Sequence, residues 1–201
     1  MDHENALRAQ GHQRIAGIDE AGRGPLAGPV SAAAVVLPAK YTHPLLNDSK
    51  KLSEKQRETL YEEITADPRI QWHCVFVDAA EIDRINILRA THLGMERAAL
   101  GLKKKPDAVL IDGRPVRGFP LPQLALVGGD GLSFSIAAAS IIAKVTRDRW
   151  MLEVAKEYPE YGFERHKGYG TKLHLDALRR HGPCPIHRQT FSPVSQLELD
   201  L

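Results

Sequence analysis

Ile15-Ala16-Gly17-Ile18-Asp19-Glu20-Ala21-Gly22-Arg23-Gly24-Pro25 opens as a short apolar run and closes on two carboxylates and a glycine–proline turn. Hydrocarbon up to Ile18 predicts a buried strand, and Gly22-Arg23-Gly24-Pro25 predicts the turn that follows it. A second apolar run, residues 30–37, is closed by Pro38 and predicts the partner strand of an antiparallel hairpin with a long loop. Asp19 and Glu20 therefore stand where a core strand stops. Adjacent residues of a regular strand face opposite sides, so these two share one ion only if the strand breaks up there. Gly22 and Gly24 offer the place for such a break.

Downstream, Ser53 followed by Gln56 reads as a capping box, opening a helix with Leu60 and Ile64 on one face. Ile70, Trp72, Cys74 and Phe76 alternate as a third strand does. Leu88, Thr91, Met95, Ala98 and Leu102 recur at helical spacing, with Gly101 near the end. Two further apolar runs, residues 108–111 and 124–127, end in Asp112-Gly113 and Gly128-Gly129-Asp130. They do not alternate, which predicts buried parallel strands. Residues 133–158 predict a long helix stopping before Pro159, and residues 171–180 a shorter one with Gly182 after it. The order of elements gives an α/β fold, a mixed sheet flanked by helices with a helical C-terminal lobe. The expected layout is one domain over residues 15–194, between flexible tails at 1–14 and 195–201.

Of the 201 residues, 43% are hydrophobic and 26% charged, a balance that excludes wholesale disorder. The polar start is not expected to serve as a signal peptide, and the longest apolar stretches, 32–37 and 136–143, fall short of the roughly 18 residues of a membrane span. Cys74 and Cys184 are too few for a disulfide framework, which suits a reducing compartment, so a cytoplasmic protein is expected; a monomer is expected as well. The net charge of +2 is nearly neutral, but its distribution says more. Lys50, Lys51, Lys144, Arg147, Arg165, Lys167, Lys172, Arg179 and Arg180 fall in segments around the acidic residues. Such a rim attracts a phosphate backbone and leaves the centre free for cations; solvated helix faces are the plainer reading of any one of them.

Asp19, Glu20, Asp112 and Asp130 each sit where an apolar strand stops, and in open α/β sheets ligands gather at strand ends. Clustered carboxylates at the edge of a core repel and raise one another's pKa unless cations intervene. A hard divalent ion such as Mg²⁺ relieves that repulsion using few protein oxygens. No concentrated Cys/His set stands beside them, which disfavours zinc there. Taken singly, each Asp is explained as a turn residue after a strand; the set is not.

Residues 18–25 with Gly28-Pro29-Val30 resemble the opening signature of the type 2 ribonuclease H family. Asn47-Asp48-Ser49-Lys50-Lys51-Leu52-Ser53 is similar to its second motif and Asp112-Gly113 to its third. Gly129-Asp130, followed by Ala138-Ala139-Ser140-Ile141-Ile142-Ala143-Lys144-Val145-Thr146-Arg147-Asp148, resembles the fourth. His166-Lys167-Gly168-Tyr169-Gly170-Thr171 with His174 resembles the C-terminal tyrosine segment. The resemblance implies a ribonuclease H-like five-stranded sheet and metal binding by Asp19, Glu20, Asp112 and Asp130, with Mg²⁺ or Mn²⁺ as cofactor. It implies hydrolysis of the RNA strand of RNA–DNA hybrids, and cutting 5′ of ribonucleotides embedded in duplex DNA, leaving a 3′-hydroxyl and a 5′-phosphate. Type 3 relatives carry an extra N-terminal domain, for which the residues before Ile15 are too few. Ribose recognition is carried onto Gly22, Arg23, Gly24 and Tyr169. Two ions roughly 4 Å apart would straddle the scissile phosphate.

Lys50, Ser140 and Lys144 are candidate phosphate contacts, Lys144 lying one helical turn beyond Ser140. His174 reads equally as a group near the site or as a structural one. His181, Cys184 and His187 are regularly spaced soft ligands that suggest zinc, but no fourth is evident. The tail Gln196-Leu197-Glu198-Leu199-Asp200-Leu201 resembles short Gln/Leu peptides that bind bacterial sliding clamps; a frayed terminus is the plainer reading. The rivals are another nuclease or transposase of the same fold and a non-catalytic duplex binder, which would do better without the acidic cluster.

Overall fold

The computed structural model describes residues 1–47 and 52–197. Helix α1 (Asp2–Ala9) leads into strands β1 (Ile15–Ala21) and β2 (Val30–Val36), then α2 (Glu54–Ala66), β3 (Gln71–Val77), α3 (Ala79–Ile85) and α4 (Ile87–Leu100). Strands β4 (Ala108–Asp112) and β5 (Gln123–Leu126) follow, then α5 (Phe134–Glu157), α6 (Phe163–His166), α7 (Lys172–His181) and α8 (Val194–Leu197). The five strands form one sheet in the order β3-β2-β1-β4-β5. β1 runs antiparallel to β2, and β2 to β3; β4 lies parallel to β1, and β5 to β4.

Alternation along the strands sorts the core into two layers. Ala33 and Val35 face Ala137, Ile141 and Ile142 of α5, with Leu60 and Ile64 of α2 completing that layer. Ala16, Ile18, Ala32, Ala34, Val109 and Ile111 face Met95 and Ala98 of α4 on the other side. Gly17 is required by the approach of α5: a Cβ there would stand 2.1 Å from the Ser135 carbonyl carbon. A third cluster joins the end of α5 to the C-terminal lobe through Met151, Tyr161, Phe163, Leu178 and Leu26.

The hairpin, the parallel strands and the helical lobe stand as the sequence predicts. Ser53 caps α2 reciprocally, its N–H donating to Gln56 Oε1 at 2.9 Å while its hydroxyl accepts the Gln56 N–H at 3.3 Å. Thr171 and Gly182 bound α7, and Ser133 caps α5.

Four expectations are corrected. The strand does not break at Asp19 and Glu20, because β1 stays paired with β2 as far as Ala21↔Ser31. β5 is an edge strand rather than a buried one, with Leu124 37% exposed, and Val127 just beyond it is 80% exposed. The expected flexible tail at 1–14 is, over Asp2–Ala9, a helix tied down by two residues. Leu7 joins Ile15, Ala108, Leu110 and Ile136, and buried Glu4 accepts the Ser133 hydroxyl at 2.7 Å and the Ser135 N–H at 3.0 Å. The tail expected from 195 begins inside α8, whose Val194 is buried; residues 198–201 lie outside the described residues. Among the described residues, no helix is long and apolar enough to cross a membrane.

Candidate functional site

The sheet opens where the acidic residues stand. Pairing of β1 with β4 ends at Ile18↔Ile111, whereas β1 remains bonded to β2 for three residues more. One step past that last pair are Asp19 and Asp112, level with each other on adjacent parallel strands. Both lie on the face that α5 covers, since Gly17 meets Ser135 and Leu110 packs on Ile136. Glu20 faces the opposite way, toward α4, yet it reaches the same opening at the strand end.

Asp19 is 6% exposed, and its Oδ1 accepts the Glu20 N–H at 2.7 Å. Ser140 of α5 also hydrogen-bonds to it. Burial drives its pKa well above the usual carboxylate range, and the charges of Glu20 and Asp112 push the same way. Burial likewise raises Glu20, partly offset by Arg23, whose Nη1 lies 3.3 Å from Oε1; Asp112 adds to the rise. Asp112 Oδ1 accepts the Gly129 N–H at 2.6 Å. That bond ties the β4 end to the turn holding Asp130, which is 4% exposed.

Asp19, Glu20 and Asp112 therefore sense one another's charge, and Asp130 is one residue from the amide that secures Asp112. Among the described residues, no three His, Cys, Asp or Glu side chains form a ready-made metal cage. Even so, oxygen-only donors, two of them with charge disfavoured by burial, suit a hard divalent cation that takes few protein ligands and leaves room for phosphate and water.

Beside the carboxylates is a cavity of about 480 Å³ lined by Glu20, Gly22, Arg23, Gly24, Ser140, Lys144 and Tyr169. Seven predicted site residues thus share one hollow. Tyr169, 43% exposed, faces Gly24, where a Cβ would lie 3.9 Å from ring atom Cε1. Lys144 Nζ stands 5.8 Å from the Tyr169 ring centre and 2.9 Å from Asp148 Oδ1. Arg57 of α2 also lines the cavity and carried no signal in the sequence. A second hollow of about 350 Å³ opens on the α4 side between Glu20, Asp112, His92 and Arg114.

Three sequence assignments change. His174 is wholly buried and does not line the cavity; its Nδ1 lies 3.0 Å from the Tyr169 carbonyl oxygen and its Nε2 3.0 Å from His187 Nε2. Its partners and apolar surroundings make it a support for the tyrosine turn. The trio His181, Cys184 and His187 does not converge: His187 Nδ1 is 3.1 Å from Cys184 Sγ, while His181 is exposed and lies edge-on to Tyr161. Arg147 is not a rim cation. It is fully buried, donating to the carbonyls of Pro29 at 2.9 Å, Lys167 at 3.0 Å and Ala27 at 3.1 Å. Its guanidinium fills the space a side chain at Gly22 would need; a Cβ there would stand 2.0 Å from Nε, and Gly22 has φ +91. Lys50 lies outside the described residues, as do Asp48, Ser49 and Lys51.

Sequence reasoning missed Arg188, also fully buried, which donates to the carbonyls of Gly22, Arg23 and Gly28. An arginine in a Pro-rich, aperiodic segment carries no pattern that marks it as interior.

With this geometry in hand, comparison with known proteins is specific. The family model described as Ribonuclease HII matches residues 16–194. The Ribonuclease HII of Endomicrobium trichonymphae is 58% identical over 189 residues, covering 94% of this chain and 90% of that one. The crystal structure of ribonuclease H2 from Pyrococcus horikoshii superposes with a TM-score of 0.77 at 27% identity, covering 94% of this chain and 98% of that one. The ribonuclease HII of Archaeoglobus fulgidus, solved in complex with PCNA, gives 0.73 at 27% identity, covering 89% and 95%.

Proposed function

The chain belongs to the ribonuclease HII family, endoribonucleases acting on RNA–DNA hybrids, and from that premise we propose that it cuts 5′ of single ribonucleotides embedded in duplex DNA by two-metal catalysis, leaving a 3′-hydroxyl and a 5′-phosphate. Membership removes the rivals of a non-catalytic duplex binder and of another nuclease of the same fold.

The observation that carries the reading is the pairing of an acidic opening with a glycine-lined hollow. Asp19 and Asp112 flank the gap between β1 and β4, and Gly22, Gly24 and Tyr169 line the cavity alongside. Asp19, Glu20, Asp112 and Asp130 are assigned to hold the cations, Mg²⁺ or Mn²⁺. When bound, a pair of such ions supplies an activated water and offsets negative charge on the phosphoryl group. The protein's own work is placement. Gly129 fixes Asp112 through its N–H, and Ser140 and the Glu20 N–H fix Asp19. Lys144 brings a cation to the cavity for the phosphate backbone, and Ser140 a hydroxyl.

The 2′-hydroxyl distinguishes RNA from DNA and both donates and accepts. The turn Gly22-Arg23-Gly24 presents backbone to the cavity, open at Gly24, where glycine removes the side-chain barrier and Tyr169 lies across from it for the adjacent sugar. Cleavage of a duplex carrying one ribonucleotide, with the cut mapped at nucleotide resolution, tests this. A single cut 5′ of the ribonucleotide, abolished by EDTA, is expected; cutting of all-DNA duplex, or turnover surviving EDTA, contradicts it.

A second reading concerns the C-terminus. The archaeal relative was solved with PCNA, a parallel for the clamp-like tail from Gln196 to Leu201. Recovery of a bacterial sliding clamp by the full chain, lost on removing the last six residues, is the expected result. Equal recovery by both forms rules the tail out.

A further inference from the structure

We infer that Arg188 is a positioning residue for ribose recognition: from beneath the loop 22–28 it aims the backbone N–H groups of Arg23 and Gly24 away from the interior, on the side where the substrate cavity lies. The inference rests on the assignment of Gly22-Arg23-Gly24 and Tyr169 to the ribose.

Arg188 has no exposure, yet its guanidinium is spread over one loop. Nη2 donates to the Gly22 carbonyl at 2.6 Å and to Gly28 at 2.9 Å, Nη1 to Arg23 at 2.8 Å, and Nε to Gly28 at 3.0 Å. Its own N–H donates to Leu26 at 2.8 Å, so main chain and side chain hold the same loop. In a planar trans peptide, the carbonyl of one residue and the N–H of the next point in opposite directions. Drawing the Gly22 and Arg23 carbonyls toward Arg188 therefore turns the N–H groups of Arg23 and Gly24 the other way. Those two residues line the cavity that also holds Tyr169. A donor pair facing an incoming ribose or phosphate oxygen is thus set by the buried cation behind it.

Arg147 extends the arrangement to the tyrosine. Its three bonds run to Ala27 and Pro29 at one end of the loop and to Lys167, two residues before Tyr169. Two buried guanidinium groups side by side are costly, and burial together with Arg147 lowers the Arg188 pKa to about 9, which still leaves it charged near neutral pH. A simple loop tie does not need two such cations; holding many carbonyls in a fixed fan does, because the guanidinium carries five donors in a rigid fork. The segment bearing Arg188 is anchored in turn by Asp83 of α3, which accepts the N–H groups of Gln189 at 2.8 Å and Thr190 at 3.0 Å.

The test compares kcat/KM on a duplex with one ribonucleotide and on a long RNA–DNA hybrid, for the parent, Tyr169→Ala, Arg188→Lys and Asp83→Ala, each checked by circular dichroism well below its Tm. A lysine keeps the charge but cannot span three carbonyls. Arg188→Lys is expected to lower the single-ribonucleotide value relative to the hybrid value by about tenfold or more, since small misplacements of recognition groups have large effects. Asp83→Ala, which leaves Arg188 intact, shifts the ratio in the same direction by less. If Tyr169→Ala shifts the ratio and Arg188→Lys lowers both substrates equally or neither, Arg188 is merely structural and the inference is overturned. Should Arg188→Lys fail to fold, Asp83→Ala decides: a shifted ratio supports the inference, an unchanged one overturns it. If Tyr169→Ala itself leaves the ratio unchanged, the ribose assignment fails and the inference with it.

Discussion

The Gly129 N–H donates to Asp112 Oδ1 at 2.6 Å, so the carboxylate that ends β4 is held by the turn that carries Asp130. One bond thus joins two acidic positions that are 18 residues apart in the chain. It also separates two roles of Asp112 that substitutions can tell apart.

Asp112→Asn keeps an oxygen to accept that N–H but removes the charge that raises the pKa of Asp19 and Glu20. Without metal, its Tm is expected to equal or exceed that of the parent, with activity lost. Asp112→Ala leaves a part-buried N–H unpaired, a cost on the order of 1–3 kcal/mol, and is expected to melt lower than the asparagine variant. A clear fall in Tm for Asp112→Asn, measured by calorimetry in EDTA, contradicts the account of carboxylate repulsion.

Gly22→Ala meets both a positive φ and the buried Arg147 guanidinium. A loss of more than about 1 kcal/mol is expected in urea unfolding, together with weakened cleavage at single ribonucleotides. Parent-like stability and activity shows that the turn is free to rearrange.

Tyr169→Ala, at an exposed ring, is expected to leave Tm nearly unchanged while reducing selectivity for a lone ribonucleotide. Kinetics on the two substrate types check this, and equal loss on both counts against the assignment.

His174 and His187 are each held down to about 4 by burial, against an ordinary value of 6.5. Their Nε2 atoms lie 3.0 Å apart, and two protonated rings would meet N–H to N–H. Below about 6.5 the unfolded chain takes up protons that the folded one refuses until about 4, so this contribution is full above 6.5 and declines as pH falls through that window. Asp19, with its raised pKa, works in the opposite sense, so the measurement is a comparison. Between pH 7 and pH 4.5 the parent is expected to lose more Tm than His187→Gln does. Parallel curves contradict the assignment.

The hairpin, the capped helices and the carboxylates at strand ends were legible because each follows from local pattern: apolar runs, cap residues, glycine after a strand. The route by which Glu20 reaches the site was not, since it depends on β4 ending three residues earlier than β2 along β1, a property of pairing between distant segments. The exposure of β5 was hidden for the same reason, as its apolar run is that of a central strand while its place in the sheet is an edge. His174, Arg147 and Arg188 were misread or unseen because a polar side chain buried on carbonyl partners has the same letter as one in water. The helix at Asp2–Ala9 is fixed by Glu4 reaching Ser133 and Ser135, more than 120 residues away, which no local pattern announces.

The central claim, that Asp19, Glu20, Asp112 and Asp130 together hold divalent cations, is most directly tested by titrating Mn²⁺ into the metal-free chain and into Asp112→Asn, with free Mn²⁺ followed by electron paramagnetic resonance. Saturable binding by the parent that is lost or greatly weakened in Asp112→Asn is the expected result. Equal binding by both chains would place the cations elsewhere and contradict it.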